Sequence, residues 1–313
     1  MEGCPVTTYQ KTVELNAEIA RKISAFKEIF IPYPKHMELH VDLDYIRKLG
    51  RQTIGKPQMG LRVLAPSGSG KSTAALAYIA AVERARPRTA TFIPVVKVDL
   101  ERGSTPKKFM MSILIAYGDL HAGHGNELTL KMRVFACVER FQTELLIVDE
   151  CQHLNYRNGS KNDVTDTLKG LLDAGLLPMA FLGTEEAMPM FVRNLQLNGR
   201  LLPPCDLHPL SARRPEDRQL FATFVAKLEK TVVERGVLPQ LSTLAADNML
   251  PGLFEVSDGV IGRVCRLFEA ALVHALRRGA IKLERVDISW ATEHWAMEQA
   301  FIDRNPFAAT AYG

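Results

Sequence analysis

The stretch LRVLAPSGSGKSTAALAYIAAVERA (61–85) decides how this chain is read. LRVLA (61–65) is a short apolar run of strand character, and SGSGK turns sharply. The residues that follow are the small and apolar types that suit a helix. Glycines at 68 and 70 let the backbone wrap until several N–H groups point at one anion. A helix beginning near Lys71 adds the positive end of its dipole. Ser67, Gly68, Ser69 and Gly70 are therefore expected to cradle phosphates, continued by Lys71, Ser72 and Thr73 as the helix opens. In this pattern Lys71 reaches the β- and γ-phosphates of a nucleoside triphosphate, and the Ser72 hydroxyl binds Mg²⁺. The first position of GxxxxGK[ST] is Ala65 here. Alanine is tolerated there if that residue keeps a negative φ.

The complementary half of such a site is ELLIVDE (144–150). Its apolar run describes a buried strand that ends in two carboxylates. Buried acids are costly unless they face a cation or a wet cavity. Asp149 is expected to hold Mg²⁺, largely through water, and Glu150 to polarise the attacking water. Two more polar positions fit the same pocket. Thr184 follows LPMAFLG (177–183), where its hydroxyl can sense a γ-phosphate; it also suits the N-cap of a helix begun by TEEAMPMF. Arg200, in NLQLNGRL, suits either a solvated rim or a finger that enters a neighbouring subunit's site.

Outward from the loop, strand and helix alternate. Strands are predicted at 61–65, 92–100, 144–149 and 177–183, with helices at 71–86, 106–118, 127–142 and 162–174. Short buried strands separated by helices predict an α/β fold: a parallel sheet covered by helices on both faces. Upstream, a helix is predicted at 9–29, an extended link at IPYP (31–34), and a second helix near 37–50. Beyond Pro203-Pro204 only helical patterns remain, at 215–235, 239–249, 260–278 and 286–301, broken by Gly236, Pro251-Gly252 and Gly279. The chain is thus divided into an N-terminal helix and link (1–35), an α/β nucleotide-binding core (36–210), a small all-helical lid domain (211–300) and a C-terminal tail (301–313), of which NPFAATAYG (305–313) is expected to be loosely ordered.

The 313 residues, 47% hydrophobic and 24% charged, support a sizeable core. A net charge of +4 permits a polyanionic partner without demanding one. No apolar run is long enough to span a membrane, and the N-terminus lacks a basic region followed by an apolar block. Cys4, Cys137, Cys151, Cys205 and Cys265 are odd in number and without CxxC spacing, which fits a reducing cytoplasm. His121 and His124 have metal-like spacing but no acid or cysteine ligand set beside them, so a surface loop is expected.

In order, the landmarks are Tyr33-Pro34-Lys35, the P-loop, TPKKF (105–109), LLIVDECQHL (145–154), FLGT (181–184), the QLxxR element ending at Arg200, and SDGVIGRVCRLFEAA (257–271). Over about 30–300 the chain resembles the TniB/TnsC-type AAA+ ATPases, regulators of bacterial transposition. The two nucleotide motifs specify only a P-loop ATPase; QLxxR and GVIGR narrow the resemblance. It implies an AAA+ core with a helical lid, ATP and Mg²⁺ as cofactors, and ATP-dependent assembly into a ring or helical filament on double-stranded DNA. It further implies partnership with a DDE transposase and a TniQ-like targeting protein in a bacterial cytoplasm. Carried onto this chain, Lys71, Ser72, Asp149 and Glu150 form the nucleotide site, Thr184 is the first sensor and Arg200 the trans-acting finger. Arg263 stands in or next to the second-sensor place, although related proteins often carry that arginine where this chain has Gly262.

The resemblance places DNA contact at Lys107 and Lys108, with Arg157 and Lys161 in NYRNGSKND as a second candidate pair. Lysine pairs neutralise phosphates without reading bases, and lysines at a helix start oppose the dipole, which favours a functional reading. Two alternatives share the P-loop: a helicase-loader or IstB-like AAA+ helper, and a small-molecule kinase with a basic lid over an acceptor pocket.

Overall fold

The computed structural model describes residues 5–154, 164–245 and 248–308. Two helices open the chain: α1 (Pro5–Lys27) and α2 (Pro34–Gln52). An alternating region follows: β1 (Gly60–Leu64), α3 (Lys71–Ala85), β2 (Val95–Asp99), α4 (Pro106–Ala116), α5 (Glu127–Arg140), β3 (Leu145–Asp149), α6 (Val164–Asp173) and β4 (Met179–Gly183). Short helices α7 (Met188–Arg193) and α8 (Leu195–Asn198) lead on to α9 (Pro215–Glu234), α10 (Leu250–Ser257), α11 (Ile261–Arg277) and α12 (Arg285–Ala291). The chain divides into two compact units. One is Pro32–His208; the other joins the chain up to Ile31 with the chain from Pro209 onward.

In the first unit all four strands are parallel, in the order β1-β4-β3-β2. Every residue of the central strands β3 and β4 is buried, as expected of a sheet covered on both faces. Strand residues alternate between the faces. Val96, Val98, Leu146, Val148, Met179 and Phe181 pack with α4, α5 and α6 through Phe109, Met110, Ile113, Leu130, Val134, Leu168 and Leu172. The intervening Val63, Leu145, Ile147 and Ala180 are buried as well, and α2 packs against α3, β1 and β3 with Leu39, Leu43 and Ile46 inward.

A further extended segment flanks β1. Leu202 N donates to Gly60 O (2.8 Å), Cys205 N to Arg62 O (3.0 Å) and Leu207 N to Leu64 O (2.9 Å). Pro203 and Pro204 lack an N–H, which keeps this segment from becoming a regular strand and hides it from strand patterns. Asp206 fastens it by accepting from Leu64 N (2.8 Å) and from Arg62 (2.7 Å).

In the second unit, α11 buries Val264, Leu267, Phe268, Ala271, Leu272 and Ala275 at helical spacing. The N-terminal helix packs here, burying Ile19, Ile23 and Phe26 and pairing Lys27 with Glu269 at 3.0 Å. Pro34 opens α2 as its first residue, so the link before it is shorter than IPYP.

Two expectations for the C-terminal region fail. The described residues of 239–249, which are 239–245 and 248–249, do not form a helix. They are bends, irregular backbone and turns, with the Leu244 amide held by buried Glu229 (2.7 Å) and Ser242 Oγ accepting from Leu283 N (2.9 Å). Side chains here satisfy backbone groups that a helix would have satisfied itself. The helix begins at Leu250, and Pro251, read as a breaker, sits in its first turn where no N–H is needed. The tail is anchored as far as residue 308: Phe307 is buried against Gly252, and Asn305 Nδ2 donates to Ser289 Oγ (2.8 Å).

Candidate nucleotide site

The sheet order brings the carboxyl ends of β1, β4 and β3 side by side. Leu64 is level with Gly183, and Ala65 N donates to Gly183 O (3.0 Å). The loop after β1 therefore lies next to Thr184, with Asp149 and Glu150 one strand further on. Ligands of open α/β sheets bind at this end.

Gly68 (φ 77°) and Gly70 (φ 86°) take the left-handed backbone that the loop needs. Gly70 has a second reason to lack a side chain, since a Cβ there would lie 2.9 Å from the His36 ring. Lys71 begins α3 and is buried; Ser69 is buried, Ser72 half-buried, and Ser67, Gly68 and Thr73 exposed. Ala65 is buried and absent from the positive-φ residues, so alanine fits where glycine is usual. Two histidines one turn apart on α2 brace the loop. His36 Nε2 donates to Ser69 O (3.1 Å), and His40 Nε2 donates to Ala74 O (2.7 Å). Burial lowers the His36 pKa below its ordinary value, outweighing the opposing hydrogen bond to Ser69 and adding to the repulsion from His40.

Asp149 is almost completely buried. Its Oδ1 accepts from Glu150 N (2.9 Å), and its Oδ2 faces Lys97 Nζ at 3.0 Å as an ion pair. Lys97, on β2, also bonds Asp99. Glu150 adopts φ 58°, a left-handed conformation uncommon for a residue with a side chain. Gln152 Nε2 donates to its carboxylate, while Gln152 Oε1 accepts from Thr184 N (3.0 Å). Cys151 lies buried beneath this turn. Desolvation pushes its thiol pKa up, Asp149 and Glu150 push it further, and Lys71 opposes them. Both motifs thus end at the same edge of the sheet, on β1 and β3 with β4 between them.

The residues fit a triphosphate with its metal. Ser69 Oγ and Thr184 Oγ1 are buried polar atoms without a hydrogen-bond partner among the described residues, and such atoms call for a ligand or water. Thr184 occupies the N-cap position but makes no side-chain cap bond, so capping does not use its hydroxyl. Among the described residues, no group of three or more His, Cys, Asp or Glu could hold a metal by protein donors alone.

The other residues expected from the sequence are Arg200, Arg263, Lys107, Lys108, Arg157 and Lys161. Arg200 Nε bonds Asp173 Oδ1 at 2.8 Å, so its side chain is engaged within its own chain. Arg263 lies in the other unit, on α11, with its guanidinium 4.5 Å from the centre of the Phe301 ring and its Nε without a partner among the described residues. Lys107 and Lys108 are exposed in the first turn of α4, capped by Thr105 Oγ1. Arg157 and Lys161 fall outside the described residues.

Lys97, Gln152, His36 and His40 had not been marked out by the sequence. The pair on α2 had a usable signal in its i, i+4 spacing; the other two depend on strand order.

The parallel sheet, the P-loop opening α3, the acidic end of β3 and the helical C-terminal region define an AAA+-type P-loop ATPase. The family model of the bacterial TniB protein matches residues 22–207. The chain belongs to the TniB family of AAA+ ATPases. That match includes QLxxR and stops short of GVIGR. Among curated protein sequences none matches. Among solved structures the chain is similar to the Aeropyrum pernix ORC2 protein in its ADP form (TM-score 0.60, 14% identity, covering 87% of this chain and 72% of that one). It is also similar to Cdc6p of Pyrobaculum aerophilum (TM-score 0.61, 12% identity, 86% and 70%). A third is the Aeropyrum pernix ORC1 protein in complex with DNA (TM-score 0.57, 16% identity, 84% and 65%). At these identities the likeness is one of fold. Among the described residues no helix is long and apolar enough to cross a membrane.

Proposed function

We propose that this chain is an ATP-dependent, DNA-binding regulator of transposition that assembles on double-stranded DNA and couples target-site selection to a DDE transposase. The observation that carries this reading is the convergence of Lys71, Asp149, Glu150 and the unpartnered Thr184 hydroxyl at one sheet end, in a chain of the TniB family. The amides of Ser67–Gly70 and Lys71 hold the phosphates, and Thr73 continues the cradle. Magnesium, when bound, supplies charge neutralisation across the phosphates, and Ser72 and Asp149 are its protein partners. Glu150 orients and deprotonates the attacking water, and Thr184 meets the γ-phosphate. Arg200 leaves Asp173 to enter the next subunit of a ring or filament, and Arg263 serves from the helical unit.

Lys107 and Lys108 bind DNA phosphates, with Arg157 and Lys161 as the second pair. Few contacts per subunit suffice when repeated along a filament. The complex of the Aeropyrum pernix ORC1 protein with DNA supports a DNA-binding use of this fold. A TniQ-like protein is the expected adaptor.

The test is ATP hydrolysis and negative-stain microscopy with and without duplex DNA. Expected are DNA-stimulated turnover and ATP-dependent oligomers, which Glu150→Gln traps. A chain that binds ATP yet stays monomeric with ATP and DNA refutes the proposal.

A further inference from the structure

The turn after β3 is fastened on both sides. His153 Nδ1 donates to Leu100 O (2.8 Å), and Ser104 N donates to His153 O (3.0 Å), which tie the turn to the segment beyond β2. On the other side Gln152 alone spans from the Glu150 carboxylate to the backbone at the end of β4. The chemistry fixes which way its amide points. A carboxylate can only accept, so the NH₂ group faces Glu150; a peptide N–H can only donate, so the carbonyl faces Thr184. Gly183 leaves room for this bridge. A Cβ there would stand 2.5 Å from Cys151 Sγ and 2.7 Å from Gln152 Oε1. Meanwhile the Thr184 hydroxyl is buried and without a partner among the described residues, so the backbone read by Gln152 belongs to the residue assigned above to the γ-phosphate.

Resting on the reading of Glu150 and Thr184 given above, we infer that Gln152 is a positioning residue that couples Thr184 to Glu150. Engagement of the Thr184 hydroxyl moves the Thr184 N–H; Gln152 carries that displacement to the Glu150 carboxylate. The left-handed backbone of Glu150 is the joint on which that carboxylate is set. Hydrolysis is thereby tied to the presence of the γ-phosphate through one amide.

The decisive variant is Gln152→Glu, nearly identical in shape. It keeps an acceptor for Thr184 N–H but replaces the donor facing Glu150 with a like charge. A hydrogen bond to a charged group sets the expected scale, so kcat falls roughly tenfold or more. Nucleotide affinity, read by a fluorescent ATP analogue, changes less than about twofold, and thermal unfolding matches the unmodified protein. The loss falls on kcat and leaves KM for ATP nearly unchanged, because the replaced donor faces Glu150 and not the nucleotide. A merely structural role would lower nucleotide affinity and thermal stability together with kcat. Gly183→Ala, whose Cβ would press on Gln152 Oε1 and Cys151 Sγ and so displace the bridge, lowers kcat in the same way. Thr184→Ala combined with Gln152→Leu loses less than the product of the separate losses.

Ordinary kcat in Gln152→Glu, with turnover abolished in Glu150→Gln, overturns the inference. So does a loss of nucleotide binding that parallels the loss of turnover. If Glu150→Gln itself keeps full turnover, the failure lies in the assignment of Glu150, and the coupling falls with it.

Discussion

Lys97→Met removes a cation 3.0 Å from a carboxylate whose side chain is only 1% exposed; Lys97 itself is 11% exposed. Burial pulls the Lys97 pKa down, but Asp99 and Asp149 more than offset it, leaving it raised. Its contribution is therefore fully present at neutral pH and lost only as pH rises through that raised value. Breaking a buried pair from one side costs about 3–5 kcal/mol. The low end, ~3 kcal/mol, is expected here because Asp149 Oδ1 keeps its bond from Glu150 N. For a domain of this size each kcal/mol shifts Tm by roughly 2–4 °C, so the nucleotide-free variant should melt ~6–12 °C lower. Mg²⁺ with ADP brings a replacement charge, and ligand stabilisation grows with the ratio of ligand concentration to Kd. The rise in Tm on adding Mg²⁺-ADP should accordingly be larger in Lys97→Met than in the unmodified chain. Scanning calorimetry with and without Mg²⁺-ADP measures both quantities. A loss below ~1 kcal/mol, or equal increments in the two proteins, would refute the reasoning.

Other outcomes follow from single contacts. The lowered His36 pKa means the unfolded chain takes up the proton first, so stability falls as pH drops from about 6.5 through the folded-state value. His36→Gln should flatten that part of a stability–pH curve by up to ~1.4 kcal/mol per pH unit, measured by denaturant unfolding; an unchanged slope rules His36 out as its source. Gly259 has φ 68°, and a Cβ there would lie 2.0 Å from Leu210 O. Gly259→Ala should destabilise the helical unit by at least ~1–3 kcal/mol, seen as faster amide exchange in α11. Asp173→Asn weakens the tether on Arg200 at little cost in stability, under ~1 kcal/mol for so exposed a pair. ATPase activity should then rise at lower protein concentration, and an unaltered concentration dependence counts against a trans role for Arg200.

The sequence by itself determined whatever depends on neighbours along the chain. SGSGKS directly after an apolar run, DE at the end of another, and the alternation between 61 and 183 suffice for a parallel P-loop core. Backbone conformation and hydrophobic period are local properties, so the residues that impose them are legible in order. Local pattern fails where distant groups satisfy the backbone. Glu229 and Ser242 hold the backbone around Leu244 and Leu283 without a helix, and Phe307 anchors the described part of the tail. Only the tertiary structure decided that the N-terminal helix joins the C-terminal helical unit, and that the segment through Cys205 and Leu207 lies along β1. It also decided the electrostatics around Asp149 and Glu150. Lys97 meets Asp149 because β2 adjoins β3, and Gln152 meets Thr184 because β4 adjoins β3 on the other side. A motif names the groups that touch phosphate; the strand order of the sheet selects the groups that hold them in place.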